Sequence, residues 1–300
     1  MRCLRLVLSI STMLASTAVA QTAPDPDIFL IPLSISGGKT SLGKPVNITN
    51  RHGYDNQPAF SPDGRAVFYT STREDSQADI YKYSIALKTT ERFTKTSPES
   101  EYSATVMPSR ERLSVIRVEK DSTQRLWSFT LNGSDDRLVI ADVKPVGYHV
   151  WIDPFHLALF VLGAPNSLVL ANTQTGTRQV LARDVGRSLL SLPGSRGFSF
   201  LAHHDQEWVL TEVRFAIGSD SVRYIRPIVA LPVGMEFVAW MGRTLIGGVG
   251  TKLYSWMSGG QWTEIADLGP DGLTRISRIA VSRDRTMLAV VAEPASPSKP

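Results

Sequence analysis

Between Gln57 and Thr94 the sequence reads as four short strands, and the pattern returns forty-six residues further on. Gln57-Pro58-Ala59-Phe60-Ser61 is a first strand, and Pro62-Asp63-Gly64-Arg65 is a turn. Ala66-Val67-Phe68-Tyr69-Thr70-Ser71 is a second strand, Asp79-Ile80-Tyr81-Lys82-Tyr83-Ser84 a third and Glu91-Arg92-Phe93-Thr94 a fourth. Asp-Gly between β-rich runs marks a hairpin, because glycine accepts the positive φ that the turn needs. Pro62, Pro108 and Pro154 stand at one spacing, and Leu126-Trp127-Ser128-Phe129 falls where Ile80–Tyr83 fell before. Weaker units begin at Val150, Leu189, Phe237 and Ile279. Four antiparallel strands every forty to fifty residues predict a β-propeller.

The sixth unit stops after two strands, and its missing half stands at the other end of the chain. Asp27-Ile28-Phe29-Leu30-Ile31 repeats the third-strand pattern of Asp79–Tyr83, and Pro45-Val46-Asn47-Ile48-Thr49 repeats the fourth. The expected fold is therefore all-β: a six-bladed propeller of four-stranded antiparallel blades over 27–293, closed by N-terminal strands that complete the last blade. About 47 residues per blade fits such a repeat. A closed ring leaves only short, protected sheet edges.

The flanks read differently. Arg2 and Arg5 precede an apolar run, Leu6 to Leu14, and Ala18-Val19-Ala20 offers a cleavage site, so 1–20 is expected to be a signal peptide cut after Ala20. Residues 21–26 then form a short linker, and 294–300 a disordered Pro/Ser tail. The expected location is the periplasm or the exterior. The lone cysteine, Cys3, falls inside the signal, so the mature chain has neither disulfide nor thiol chemistry. The net charge of +4 drops to about +2 once Arg2 and Arg5 are removed. Lys and Arg form no clustered stripe, which argues against nucleic acid as a partner. No stretch is apolar for eighteen residues, so no transmembrane segment is expected in the mature protein.

Gln57–Arg65, with Phe68-Tyr69-Thr70-Ser71-Thr72-Arg73 and Asp79-Ile80-Tyr81, closely resembles the TolB-type, WD40-like propeller repeat. The resemblance extends over about Asp27 to Glu293 and implies a six-bladed propeller of a bacterial, periplasmic kind. TolB carries an α/β domain ahead of its propeller, and this sequence has no room for one before its first blade motif. The same repeat precedes α/β-hydrolase domains in peptidases, but nothing after the sixth unit would hold one and G-x-S-x-G is absent. TolB binds an outer-membrane lipoprotein through its propeller and takes part in envelope integrity, and the resemblance implies a similar role here.

Asp63, Gly64, Arg73 and Asp79 match the repeat best, and turn geometry accounts for them: Asp63-Gly64 as the hairpin, Asp79 bonded to loop amides or to Arg73. The histidines, His52, His149, His156, His203 and His204, do not form a metal set. His203 and His204 are placed in a loop of the fourth blade, and neighbouring residues on a strand point apart. Lactonase-type six-bladed propellers hold a divalent ion on the axis with Glu, Asn and Asp, which the ring positions here do not supply. No catalytic residue, metal or cofactor is therefore assigned.

Aligning the starts of the first strands gives a candidate binding surface at the channel mouth. It comprises Asn56, Gln57, Tyr102, Ser103, Tyr148, His149, Arg187, Ser188, Met235, Ser277 and Arg278, with His52, Tyr54, Asp55, Glu101, Glu236 and Arg275 nearby. Tyr and Arg around a concave mouth suit protein contacts. The expected function is non-enzymatic: a monomeric module gripping a protein or peptide of the cell envelope. The alternative is a metal-dependent hydrolase or lyase acting on a sugar or lactone.

Overall fold

Runs such as Val67-Phe68-Tyr69 and Leu288–Ala292 are apolar at consecutive positions, so they need cover on both faces, unlike a half-exposed strand with alternating character. The computed structural model describes residues 25–36, 39–73, 76–216 and 219–295. The strands run in chain order as β1 (Asp27–Ser36), β2 (Lys39–Leu42), β3 (Val46–Asn47), β4 (Asp55–Phe60), β5 (Ala66–Thr72), β6 (Ala78–Ser84) and β7 (Thr89–Arg92). Next come β8 (Ser100–Val106), β9 (Arg112–Val118), β10 (Gln124–Thr130), β11 (Arg137–Ile140), β12 (Val146–Trp151), β13 (His156–Val161), β14 (Ser167–Asn172) and β15 (Arg178–Arg183). The last are β16 (Val185–Ser191), β17 (Gly197–His204), β18 (Glu207–Phe215), β19 (Val222–Ala230), β20 (Val238–Met241), β21 (Thr244–Val249), β22 (Lys252–Met257), β23 (Thr263–Asp267), β24 (Leu273–Val281) and β25 (Met287–Pro294).

Blades 1 to 5 are the consecutive four-stranded meanders β4–β7, β8–β11, β12–β15, β16–β19 and β20–β23. Blade 6 takes its two inner strands, β24 and β25, from the C-terminal end and the rest from the N-terminal end. Strand β1 pairs antiparallel with β25 from Asp27↔Ala292 to Pro32↔Met287. The outer strand expected at Pro45–Thr49 is present as the short β3, and β2, which precedes it in the chain, pairs the following part of β1. Apart from a 3-10 turn at Gly269–Asp271, the described residues are strands and their connections.

The cores lie between blades, one at each of the six seams. Phe29, Ile31 and Leu33 of β1 pack against blade 5, whereas the alternate Ile28 and Leu30 pack against blade 1. Burial at roughly 1.5–3 kcal/mol per large side chain makes β1 alone worth on the order of 10 kcal/mol, comparable to the whole stability of an ordinary domain. A repeated polar clasp fixes its position. The Thr49 hydroxyl donates to Asp27 and accepts the Ile28 amide, and Thr94 does the same for Asp79 and Ile80.

Three sequence assignments gain detail. Asp63 accepts the Ser61 hydroxyl and the Arg65 amide, and Gly64 is left-handed at φ +71°. Blade 6 builds the same turn with Ser282 and Asp284, placing Arg285 at φ +61°. Asp79 pairs with Arg92 at 2.6 Å in place of Arg73, whose guanidinium lies 4.0 Å over the Tyr81 ring. His203 and His204 end β17, leaving a turn at Asp205-Gln206, so they belong to a strand end and not to a loop.

Residues 1–20, expected to be a signal peptide, lie outside the described residues, as do 21–24 and 296–300. Asp25, read as linker, accepts the Gly53 amide at 2.7 Å, and β25 runs one residue into the segment read as tail, pairing Pro294 with Leu273. Deleting residues 27–49 should abolish the single cooperative unfolding transition and expose the edge of β25 to aggregation. Denaturant titration with light scattering checks this, and a deletion variant that unfolds in one transition as a monomer would contradict the closure.

Candidate functional site

The first strand of a blade borders the axis, and five of these six strands are irregular there. Register shifts fall between Asn56 and Ala59, Tyr102 and Thr105, Val146 and Tyr148, Val185 and Leu189, and Thr274 and Arg278. Such bulges re-aim side chains. Gln57 and Ser103 adopt left-handed backbones at φ +58° and +55°. The result is a ring of Gln57, Ser103, His149, Ser188, Phe237 and Arg278 around an axial cavity of about 370 Å³.

Neighbouring blades are tied together inside this ring. Gln57 Oε1 accepts the Thr70 hydroxyl at 2.9 Å and the Ser103 amide at 2.6 Å, joining blades 1 and 2. Ser114 on β9 joins blades 2 and 3 through Trp151 Nε1 at 2.9 Å and His149 Nε2 at 2.7 Å. These contacts are compatible when Trp151 Nε1 and His149 Nε2 both donate to Ser114 Oγ, whose proton goes to the Thr105 carbonyl at 3.1 Å. Trp240 repeats the tie to Ser199 between blades 5 and 4. His149 is buried, which pushes its pKa down to about 3 and keeps the imidazole neutral. Its Nδ1 and the hydroxyls of Ser103 and Ser188 are buried without a partner among the described residues.

Arg278 closes the cavity toward the mouth. Its guanidinium lies 3.8 Å from the Phe237 ring centroid and 5.2 Å from that of Tyr148. It donates to the Tyr148 hydroxyl at 3.3 Å, reaching from blade 6 to blade 3 on the opposite side of the ring. Tyr148, Arg187, Phe237 and Arg278 border both the axial cavity and an outer depression of about 410 Å³, so they form the layer between the two. Tyr54, Asn56, Glu236, Arg275, Ser277 and Glu293 complete the depression. Burial raises the Tyr54 phenol to about 12, which holds it protonated as a donor. Val233, next in sequence to the lining Gly234, is 97% exposed.

Of the residues expected at the mouth, Gln57, Ser103, Tyr148, His149, Arg187, Ser188 and Arg278 border the axial cavity, while Asn56 and Ser277 border only the depression. Tyr102 and Met235 line neither. Tyr102 packs into the seam of blades 2 and 3. Met235 is 2% exposed in the seam of blades 4 and 5, in space left by Gly247. Phe237 holds the fifth ring position instead. The shorter blade-5 hairpin, in which Met241 pairs Thr244 across two residues, displaces an alignment made from the strand starts; counting back from the turn finds Phe237.

Nearby carboxylates are already engaged. Asp55 pairs with Arg51 at 3.1 Å and Glu101 with Arg117 at 2.9 Å, both buried, and Glu236 and Glu293 hold Arg187 and Arg275. The ring therefore offers an amide, two hydroxyls, a neutral imidazole, a phenyl group and a guanidinium. That donor set does not fit a hard divalent cation, which needs anionic oxygens and would meet the charge of Arg278.

No family model and no curated protein matches this sequence. Solved structures do. The chain is similar to a structure assigned to TolB from Agrobacterium tumefaciens, with TM-score 0.67 and 15% identity over 90% of this chain and 99% of that one. TolB from Acinetobacter baumannii gives TM-score 0.56 and 10% identity over 90% of this chain and 64% of that one. XC5397, a gluconolactonase from Xanthomonas campestris, gives TM-score 0.63 and 11% identity over 91% and 99%. TolB propellers thus stand among the structures this fold resembles. At these identities the likeness concerns architecture, since one fold hosts many functions.

Replacing Ser114 by Ala should cost about 2 kcal/mol or more, because Trp151 and His149 each lose a buried partner. The His149 term has a definite sign. Its folded pKa lies below the unfolded value, so its contribution is complete above about pH 6.5 and is lost as pH falls toward 3, by at most about 1.4 kcal/mol per pH unit. In chemical denaturation, the stability advantage of wild type over His149→Gln should shrink from pH 7 to pH 4. A constant difference would show that the folded state takes up the proton at an ordinary pKa.

Proposed function

We propose that this chain is an exported, periplasmic propeller that binds a protein or peptide through its channel mouth. The observation that carries the reading is the concentration at one opening of Tyr54, Tyr148, Phe237, Arg187 and Arg278. Tyr and Arg anchors in a half-desolvated depression are the usual material of binding hot spots. The strands behind them are tied by inter-blade hydrogen bonds, which limits the ordering that has to accompany binding. The TolB likeness supports a partner in the envelope, and the absence among the described residues of any helix long and apolar enough to cross a membrane is compatible with it. The donor set of the ring favours this reading over a metal-dependent hydrolase or lyase.

The test is affinity capture from envelope extract with wild type and with Tyr148→Ala, Phe237→Ala and Arg278→Ala, each checked for an unchanged unfolding midpoint. A partner held at the mouth should be lost from at least two variants, since hot-spot truncation costs about 2 kcal/mol or more, roughly thirtyfold in affinity. Full retention by all three would remove the mouth as the binding surface.

A further inference from the structure

Three arginines border the outer depression, and two of them have a carboxylate. Arg187 pairs with Glu236 and Arg275 with Glu293, each at 2.5 Å. Arg278, in the same depression, has none among the described residues. Of its five N–H groups, the Tyr148 hydroxyl takes one, and the flanking aromatic faces hold the guanidinium plane in place. A stacked, half-buried guanidinium with free N–H groups is a preorganised fork for a planar, two-oxygen anion. Tyr54 lines the same depression, and its hydroxyl makes no hydrogen bond to the described residues, leaving a second donor.

The surroundings also select the charge of that anion. Glu236 and Glu293 stand on the rim of the same depression, so a dianion such as a phosphate monoester would meet two carboxylates for one unpaired cation. A monoanion completes the third pair without excess charge. The Tyr148 and Phe237 rings beside the guanidinium offer an apolar wall to whatever group carries it.

We infer that Arg278 is the anchor for a carboxylate of the bound peptide, seated in the outer depression that the Arg187–Glu236 and Arg275–Glu293 pairs also line. The inference rests on the peptide-binding reading above and adds the chemical group that is recognised. A C-terminal carboxylate and an Asp or Glu side chain share that chemistry.

Three pools of N-acetylated hexapeptides distinguish the sources when enriched on the immobilised full chain and identified by mass spectrometry. One lacks Asp and Glu and ends in a free carboxylate, the second is its C-terminal amide, and the third is an amide with one Glu. The acid or the Glu pool should be enriched, and titration of individual hits should show at least about tenfold weaker binding for the neutral counterpart, the amide or the Gln peptide. In R278Q that ratio should fall to near one, while R278K should keep part of it. Enrichment in the first pool assigns the C-terminus, and enrichment in the third a side chain. The acid–neutral comparison in wild type stands even if a variant folds poorly. Equal binding of acid and neutral peptides, lost in Tyr148→Ala, would overturn the carboxylate anchor and leave peptide binding intact. No enrichment from any pool would count against both.

Discussion

Closure of the ring is the constraint on which everything else in this molecule depends. Each blade is a thin sheet with two apolar faces, and it can cover both only by having a neighbour on each side. Strand β1 makes this concrete, because its odd and even residues belong to different seams, with blade 5 and with blade 1. Without β1 two seams open at once, and β25 presents an unpaired edge. The clasp of Asp27 and Thr49, matched by Asp79 and Thr94, shows the closing strand held as an ordinary third strand is held inside a blade.

The mouth inherits its geometry from that closure. Arg278 belongs to the composite blade 6, and the aromatic side chains that hold it come from blades 3 and 5. The site is therefore assembled across the axis, and the position of its guanidinium reports on the whole ring. Inter-blade ties at Gln57 and at Ser114 keep the bulged first strands in register, so the ring side chains are set by buried hydrogen bonds rather than by flexible loops.

The architecture was legible because it is written in repeated local signals: the Asp63-Gly64 turn, the Asp79-Ile80-Tyr81 strand and its echo at Asp27. Pairing of the chain ends followed from a missing half-blade. The mouth was legible only as a column of strand starts, and such a column fails where a hairpin changes length, as it does before Thr244. Aligned by strand starts, Met235 falls at the mouth, whereas the residue that stacks on Arg278 is Phe237. The Trp151–Ser114 and Trp240–Ser199 ties left a trace, a tryptophan in a first strand with a serine in the preceding second strand, but one that gains meaning only once the blades are in register.

Native-state hydrogen exchange on β1 tests closure most directly. The amides of Phe29 and Ile31 and those of Val290 in β25 should exchange only through global unfolding, with the same dependence on denaturant as the amides of β5 and β13. Exchange of the β1 amides by a local, denaturant-independent opening, with β5 still protected, would show that the N-terminal strand does not hold the ring shut.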